Sequence, residues 1–196
     1  YVKASVRRPV GNPGNGIQPK DQLVIYDVDD ILSFPPRNEA GVVIEDDIVM
    51  KAGRYAIGIY LTPGTAEISS NSDGETDAEG YTPSVKFNHP GNEQEIREFK
   101  TNWLSKKCIV VLRYCSGKPA DLIGTPCNPC KLSVSYTGSN ESNTNELTFT
   151  QISKGDDIAI YRGTDTLEEP VAVVEAGATD IDYQTDGQYQ LSAGAA

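Results

Sequence analysis

Hydrophobic and polar residues alternate along most of this chain. In 55–61, YAIGIYL, the residues Tyr55, Ile57, Ile59 and Leu61 fall on one face of an extended backbone. In 131–136, KLSVSY, Leu132, Val134 and Tyr136 alternate with Lys131, Ser133 and Ser135, and ELTFT repeats the pattern with Leu147 and Phe149. IAIY, VAVV, DIDYQ and QYQL carry it toward the C-terminus. Each run is short and bounded by Gly, Pro, Asn or Asp, as expected of half-buried antiparallel strands. Residues 108–115, CIVVLRYC, are almost continuously apolar, which predicts a strand at the centre of a sheet.

One segment has a different period. In NEQEIREFKTNWLSKK (92–107), Ile96, Phe99, Trp103 and Leu104 recur at helical spacing. Asn92 stands three before Glu95, the spacing of a capping box, and Lys100, Lys106 and Lys107 suit the negative end of a helix dipole. The pattern predicts one helix over about 92–106, packed on a sheet through Ile96, Phe99, Trp103 and Leu104. TGSNESNTNE (137–146) reads as an exposed hairpin tip and SSNSDGETDAEG (69–80) as a second exposed loop. The expected fold is mainly β (α+β): an antiparallel β-sandwich or barrel with one flanking helix and long loops.

Charge divides the chain in two. Its 196 residues carry a formal net charge of −11, yet residues 1–20 hold Lys3, Arg7, Arg8 and Lys20 and no acid, a charge of +4, which leaves −15 on 21–196. Three prolines and three glycines in the same stretch oppose a helix or an inner strand. Residues 1–20 are therefore expected to form an extended basic arm on a single acidic domain, 21–196. The arm is either a disordered tail or a segment that lies on a neighbouring acidic subunit through Arg7 and Arg8. The acidic body argues against a nonspecific grip on nucleic acid and against docking on anionic lipid. No apolar run approaches the ~20 residues of a spanning helix, so no membrane insertion is expected. The first residue is Tyr1, which leaves open a removed leader or a start that lies upstream.

Candidate chemistry is sparse. QLVIYDVDDIL (22–32) puts Asp27 and Asp29 at the spacing of the haloacid-dehalogenase phosphatases, and Lys154, Asp156 and Asp157 imitate the magnesium end of such a site. Ile31 stands where that family needs a threonine, and the chain lacks the crossover helices of a parallel α/β sheet. The expected reading is a strand ending near Tyr26, followed by a turn held by aspartate side chains. Asp73, Glu75, Asp77 and Glu79 recur at period 2, with no basic residue between Arg54 and Lys86. In extended chain they would share a face. A solvated loop, a functional acidic surface and a calcium site are the three readings, although the spacing fits no EF-hand.

The four cysteines are Cys108, Cys115, Cys127 and Cys130, the last two as C-x-x-C. Cys108 and Cys115 bracket one strand about 23 Å long and face opposite ways, so no four-cysteine zinc site can use both. Buried thiols, or one disulfide from Cys115 to Cys127 or Cys130, remain open. His89, the only histidine, precedes Pro90 and reads as a turn or capping residue. No nucleophile elbow, phosphate loop or dinucleotide motif is present. The expectation is therefore no enzyme, no catalytic residue, no metal and no cofactor.

The block EGYTPSVKFNHPGNEQEIREFKTNWLSKKCIVVLRYCSGKPADLIGTPCNPCKLSVSY, followed by ELTFT and GDDIAIYRGT, runs strand, capped helix, buried strand, G-T-P-x-N-P loop and strand hairpin. Over residues 40–165 this order resembles bacteriophage tail tube proteins, and more narrowly the phage-derived virion proteins of Bacteroidetes. The resemblance implies a β-sandwich or barrel subunit with one flanking helix. Its copies would form hexameric rings that stack into a tail tube for DNA ejection. It also implies other tail proteins as partners, DNA that passes without specific binding, and a virion location after assembly in the bacterial host cytoplasm. Asp73, Glu75, Asp77 and Glu79 would then be candidates for an acidic lumen or loop face, and loop 62–84 and the arm for ring-to-ring contacts. The competing expectation is a secreted or surface β-sandwich that binds carbohydrate or protein. A hydrolase of unrecognised type stands third.

Overall fold

A computed structural model describes residues 5–10, 14–140 and 142–167, together with the backbone of 181–183 and 189–191. The strands are β1 (Pro19–Asp27), β2 (Ile31–Ser33), β3 (Val43–Ile44), β4 (Val49–Met50), β5 (Ile57–Tyr60), β6 (Glu67–Asp73) and β7 (Gly80–Pro90). After helix α1 (Gln94–Trp103) come β8 (Cys108–Tyr114), β9 (Ala120–Ile123), β10 (Cys130–Gly138), β11 (Asn143–Gln151), β12 (Ala159–Tyr161), β13 (Ile181–Tyr183) and β14 (Tyr189–Leu191). The fold is mainly β with one α-helix among the described residues, and its sheet does not close into a barrel.

Ten strands form one mixed sheet that doubles over on itself. Its first half runs β5-β1-β8-β9-β12-β3, antiparallel except for the parallel pair β12–β3. Its second half, β10-β11-β7-β6, is wholly antiparallel. The halves meet at a single rung, Cys130 opposite Cys108. Cys108 already pairs Asp27 of β1 on one edge of β8, so β10 joins the other edge, just beyond β9. Gly124 sits at this seam with φ +91°, and a Cβ there would come 3.2 Å from Cys130 Sγ. A side chain at 124 would crowd the junction.

The near-continuous apolar run of β8 has a direct cause: both of its faces are buried. Val110 and Leu112 join Leu23, Ile25, Ile123, Val85, Phe87, Leu147 and Phe149 in a core between the two halves. Ile109 and Val111 join Val24, Tyr26, Leu122, Ala159 and Tyr161 in a second core, covered by Val28, Ile31, Phe34 and Met50 from the chain around the small β2–β4 sheet. Each fully buried aliphatic or phenyl side chain stabilises the fold by roughly 1.5–3 kcal/mol.

The helix is shorter than its pattern. Its N-cap is Glu93, with no side-chain cap bond, and not Asn92. The Asn92 side chain instead accepts a hydrogen bond from Lys100 Nζ at 3.1 Å, so no capping box forms. Ile96 is buried, and Phe99 and Trp103, stacked at 5.8 Å, pack against the first core. Leu104 does not join them. The helix ends at Trp103, and Leu104 is 55% exposed.

Residues 137–146 do form the end of a hairpin, with a shorter tip than expected, and half of 69–80 is strand. Residues 69–73 belong to β6, and the β10–β11 hairpin leaves only 139–142 as its tip. The arm ends two residues early, since β1 begins at Pro19. Near the C-terminus β13 pairs β14 in a separate two-stranded sheet, and the VAVV run lies outside the described residues.

Candidate functional site

The second half of the sheet has one apolar face and one polar face. Ile68, Val85, Phe87, Leu147, Phe149 and Leu132 point into the first core. The opposite face is built of cross-strand rungs. Glu67, Lys86, Thr148 and Ser133 make one, and Ser69, Ser84, Thr150 and Lys131 the next. Glu67 pairs Lys86 at 3.2 Å, and the Ser69 and Ser84 hydroxyls lie 2.9 Å apart. With Glu146 and Ser135 further along β11 and β10, the face carries hydroxyls and nearly balanced charge.

Both edges of this half are open. Among the described residues β6 pairs only β7, and β10 beyond Cys130 pairs only β11. Unpaired backbone donors and acceptors on such edges invite another strand. The free β6 edge is polar, EISSNSD, which suits exposure before any pairing.

The acidic series lies at one end of that edge. Asp73 closes β6, and 74–79 form the turn to β7, with Asp77 at φ +70°. The four carboxylates therefore do not share one face of an extended strand. Asp73 is ion-paired with Lys154 at 3.1 Å, a partner supplied by the distant 152–157 loop. The hydrogen bonds and charge of Lys154, together with the Gly74 N–H, lower its pKa from the ordinary carboxylate value. That loop also bonds the hairpin through Tyr81 and Gly155, each backbone N–H donating to the other's carbonyl, and Asp157 accepts from the Ser70 hydroxyl.

The aspartates of 27–30 do form a turn. Asp27 caps the 3-10 turn Val28–Asp30 by accepting the Asp29 N–H at 3.1 Å, and its other oxygen binds Lys106 at 2.6 Å. Asp30 pairs Arg54. Asp156 and Asp157 bind Arg37 and Ser70 instead. These carboxylates do not converge, and no group of three metal-ligating side chains occurs among the described residues. Arg7 and Arg8 are exposed on a segment without regular structure.

His89 is not a cap. It lies in β7 opposite Asn145, edge-on to Tyr60 at 6.2 Å, and burial lowers its pKa. The cysteines are all free: Cys115 and Cys127 are exposed, Cys108 and Cys130 buried. The side chains brought together are Cys108 and Cys130, a pairing that spacing alone did not single out. Sequence reasoning also missed the network around Asp165. Its carboxylate accepts from the Tyr26 hydroxyl at 2.6 Å and is ion-paired with Arg113, whose guanidinium also donates to the Gly163 carbonyl and lies over the Tyr161 ring. Desolvation opposes the charge on Arg113, but Asp165 outweighs it and the pKa is raised. The partners are too far apart in sequence for any local signal.

Comparison with protein-family models, with curated proteins and with solved structures gave no match.

Proposed function

We propose that this chain is a structural subunit that assembles with copies of itself into rings, and that the rings stack into a phage tail tube through which DNA passes. The observation that supports this most strongly is the four-stranded half-sheet with a polar outer face and two open edges. Its strand directions alternate, so β10 and β6 run in opposite senses. The β6 edge of one copy can thus meet the β10 edge of the next in antiparallel register, repeatedly, without a break in the pattern. A repeated head-to-tail contact of this kind closes into a ring where its rotation allows.

In such a ring the apolar face stays in each subunit core and the polar face lines the channel. Hydroxyls with balanced charge offer a duplex no cationic grip, and the acids at the β6–β7 turn place negative charge at the channel mouth, where it repels phosphate. The arm, through Arg7 and Arg8, would meet acidic residues of an adjacent ring. Other tail proteins would close the ends of the tube, and assembly would take place in the bacterial host cytoplasm.

Proline substitution along β6 tests the edge contact. Successive residues of a strand aim their N–H groups to opposite sides. Of Ser70→Pro and Asn71→Pro, one removes a donor inside the hairpin and the other a donor on the open edge. Light scattering should show an oligomer for the wild type. A folded chain of smaller mass is expected for the edge variant. A wild-type monomer at every concentration would instead favour the binding-module alternative.

A further inference from the structure

We infer that Cys108 and Cys130 form a modification site: a cross-strand disulfide that covalently closes the seam between the two halves of the sheet. The pair is the only rung of the β8–β10 ladder. Residues directly opposite in an antiparallel pair lie about 4.5–5.5 Å apart at Cα, inside the range a disulfide spans. Both side chains point to the same side, into the first core. Cys108 Sγ already donates to the Cys130 carbonyl at 3.3 Å. A Cβ built at Gly124 would lie 3.2 Å from Cys130 Sγ and 3.4 Å from the Cys108 carbonyl oxygen, so both cysteines border the same glycine.

Cys115 and Cys127 have no such opposition. Both are exposed, and Cys115 Sγ contacts the Pro19 carbonyl. The C-x-x-C pair splits between an exposed and a buried residue.

The oxidant is a low-molecular-weight disulfide. One cysteine thiolate attacks it, forms a mixed disulfide and releases one small thiolate. The second cysteine thiolate then attacks the protein sulfur of that mixed disulfide and releases the other. The protein pair loses two electrons, the small disulfide gains them, and the two cysteine protons end on the two departing thiols. Burial pushes the Cys108 thiol up to about 12 and raises Cys130 as well. Exchange in the folded state is therefore slow, and the bond forms while the seam is still open, in chains that fold or refold under oxidising conditions rather than in a reducing cytoplasm. The two residues stand 22 positions apart. Closing a loop of that size should raise the Tm by roughly 5–10 °C over the reduced protein.

The test is refolding of the full chain from denaturant in a mixture of reduced and oxidised glutathione, with quenching, proteolysis and mass spectrometry. The expected product is lighter by two hydrogens, links the Cys108 and Cys130 peptides, and melts higher than the reduced chain. The double variant Cys115→Ser, Cys127→Ser should still cross-link, and Cys108→Ser or Cys130→Ser should not. Peptide mapping of the wild type decides the matter even if those variants fail to fold. Four free thiols after refolding to the native fold, or a bond that involves Cys115 or Cys127, would overturn the assignment.

Discussion

The Tyr26 hydroxyl donates to Asp165 Oδ1 at 2.6 Å across 139 positions of sequence. Tyr26 is fully buried at the end of β1, and Asp165 belongs to the segment that follows β12. With Arg113 of β8 on the other carboxylate oxygen, the contact fastens 162–167 to the first half of the sheet. Desolvation and the Asp165 charge both raise the Tyr26 pKa, so the phenol stays a donor throughout the physiological range.

Asp165→Ala should destabilise the chain by about 2–4 kcal/mol, because it strands a buried hydroxyl and a largely buried guanidinium. Tyr26→Phe should cost about 1 kcal/mol, since Arg113 keeps its partner. Urea titrations of both variants check the order. Equal losses would mean that the ion pair adds nothing to the hydroxyl bond.

The helix offers a sharper contrast. Ile96 is 4% exposed and Leu104 55% exposed, although both lie on the same predicted stripe. Ile96→Ala should cost about 2–4 kcal/mol, and Leu104→Ala should fall within about 0.5 kcal/mol of wild type. Thermal melts distinguish them. A comparable loss at Leu104 would place it in a packed contact.

Asp121 gives a pH signature. Desolvation raises its pKa, and the Asp157 charge adds to this, while a hydrogen bond from Tyr114 and the Lys118 charge oppose it. The folded state then holds this proton more tightly than the unfolded chain. Stability falls as pH climbs from the ordinary aspartate value of about 3.9 through the raised one, and the penalty is complete above that. Asp121→Asn should therefore stabilise the protein at pH 7, because the amide oxygen still accepts from Tyr114. The gain should vanish near pH 3. Stability curves against pH check this, and a gain that persists in acid would exclude ionisation as its cause.

Charge reversal tests the arm. Arg7→Glu combined with Arg8→Glu should leave monomer stability within about 0.5 kcal/mol, since both side chains are exposed. It should shift sedimentation toward smaller species, and raised salt should do the same to the wild type. Unchanged sedimentation would remove the arm from the contact between copies.

The sequence was most legible where the cause of structure is local. The alternation in β11 and the unbroken run of β8 follow from which faces are buried, and the Asp27 turn follows from a bond two residues long. It misled where partners are distant. β6 is rich in Ser and Asn because one edge and one face are exposed, so its composition mimics a loop while the ladder to β7 holds it extended. Asn92 carries a capping signature, but Lys100 takes its side chain. Leu104 continues the stripe one residue past the helix. The proposed assembly surface, the open edges of β6 and β10, has no motif at all. It arises only once β7 and β11 have taken up the other edges.

Electron cryo-microscopy of the purified full chain, at a concentration where light scattering detects oligomers, tests the self-assembly claim most directly. Closed rings are expected, in which β6 of each copy runs antiparallel beside β10 of the next, with the Ser, Thr and Lys face toward the channel. Isolated subunits with both edges bare at every concentration, or rings joined through other surfaces, would contradict it.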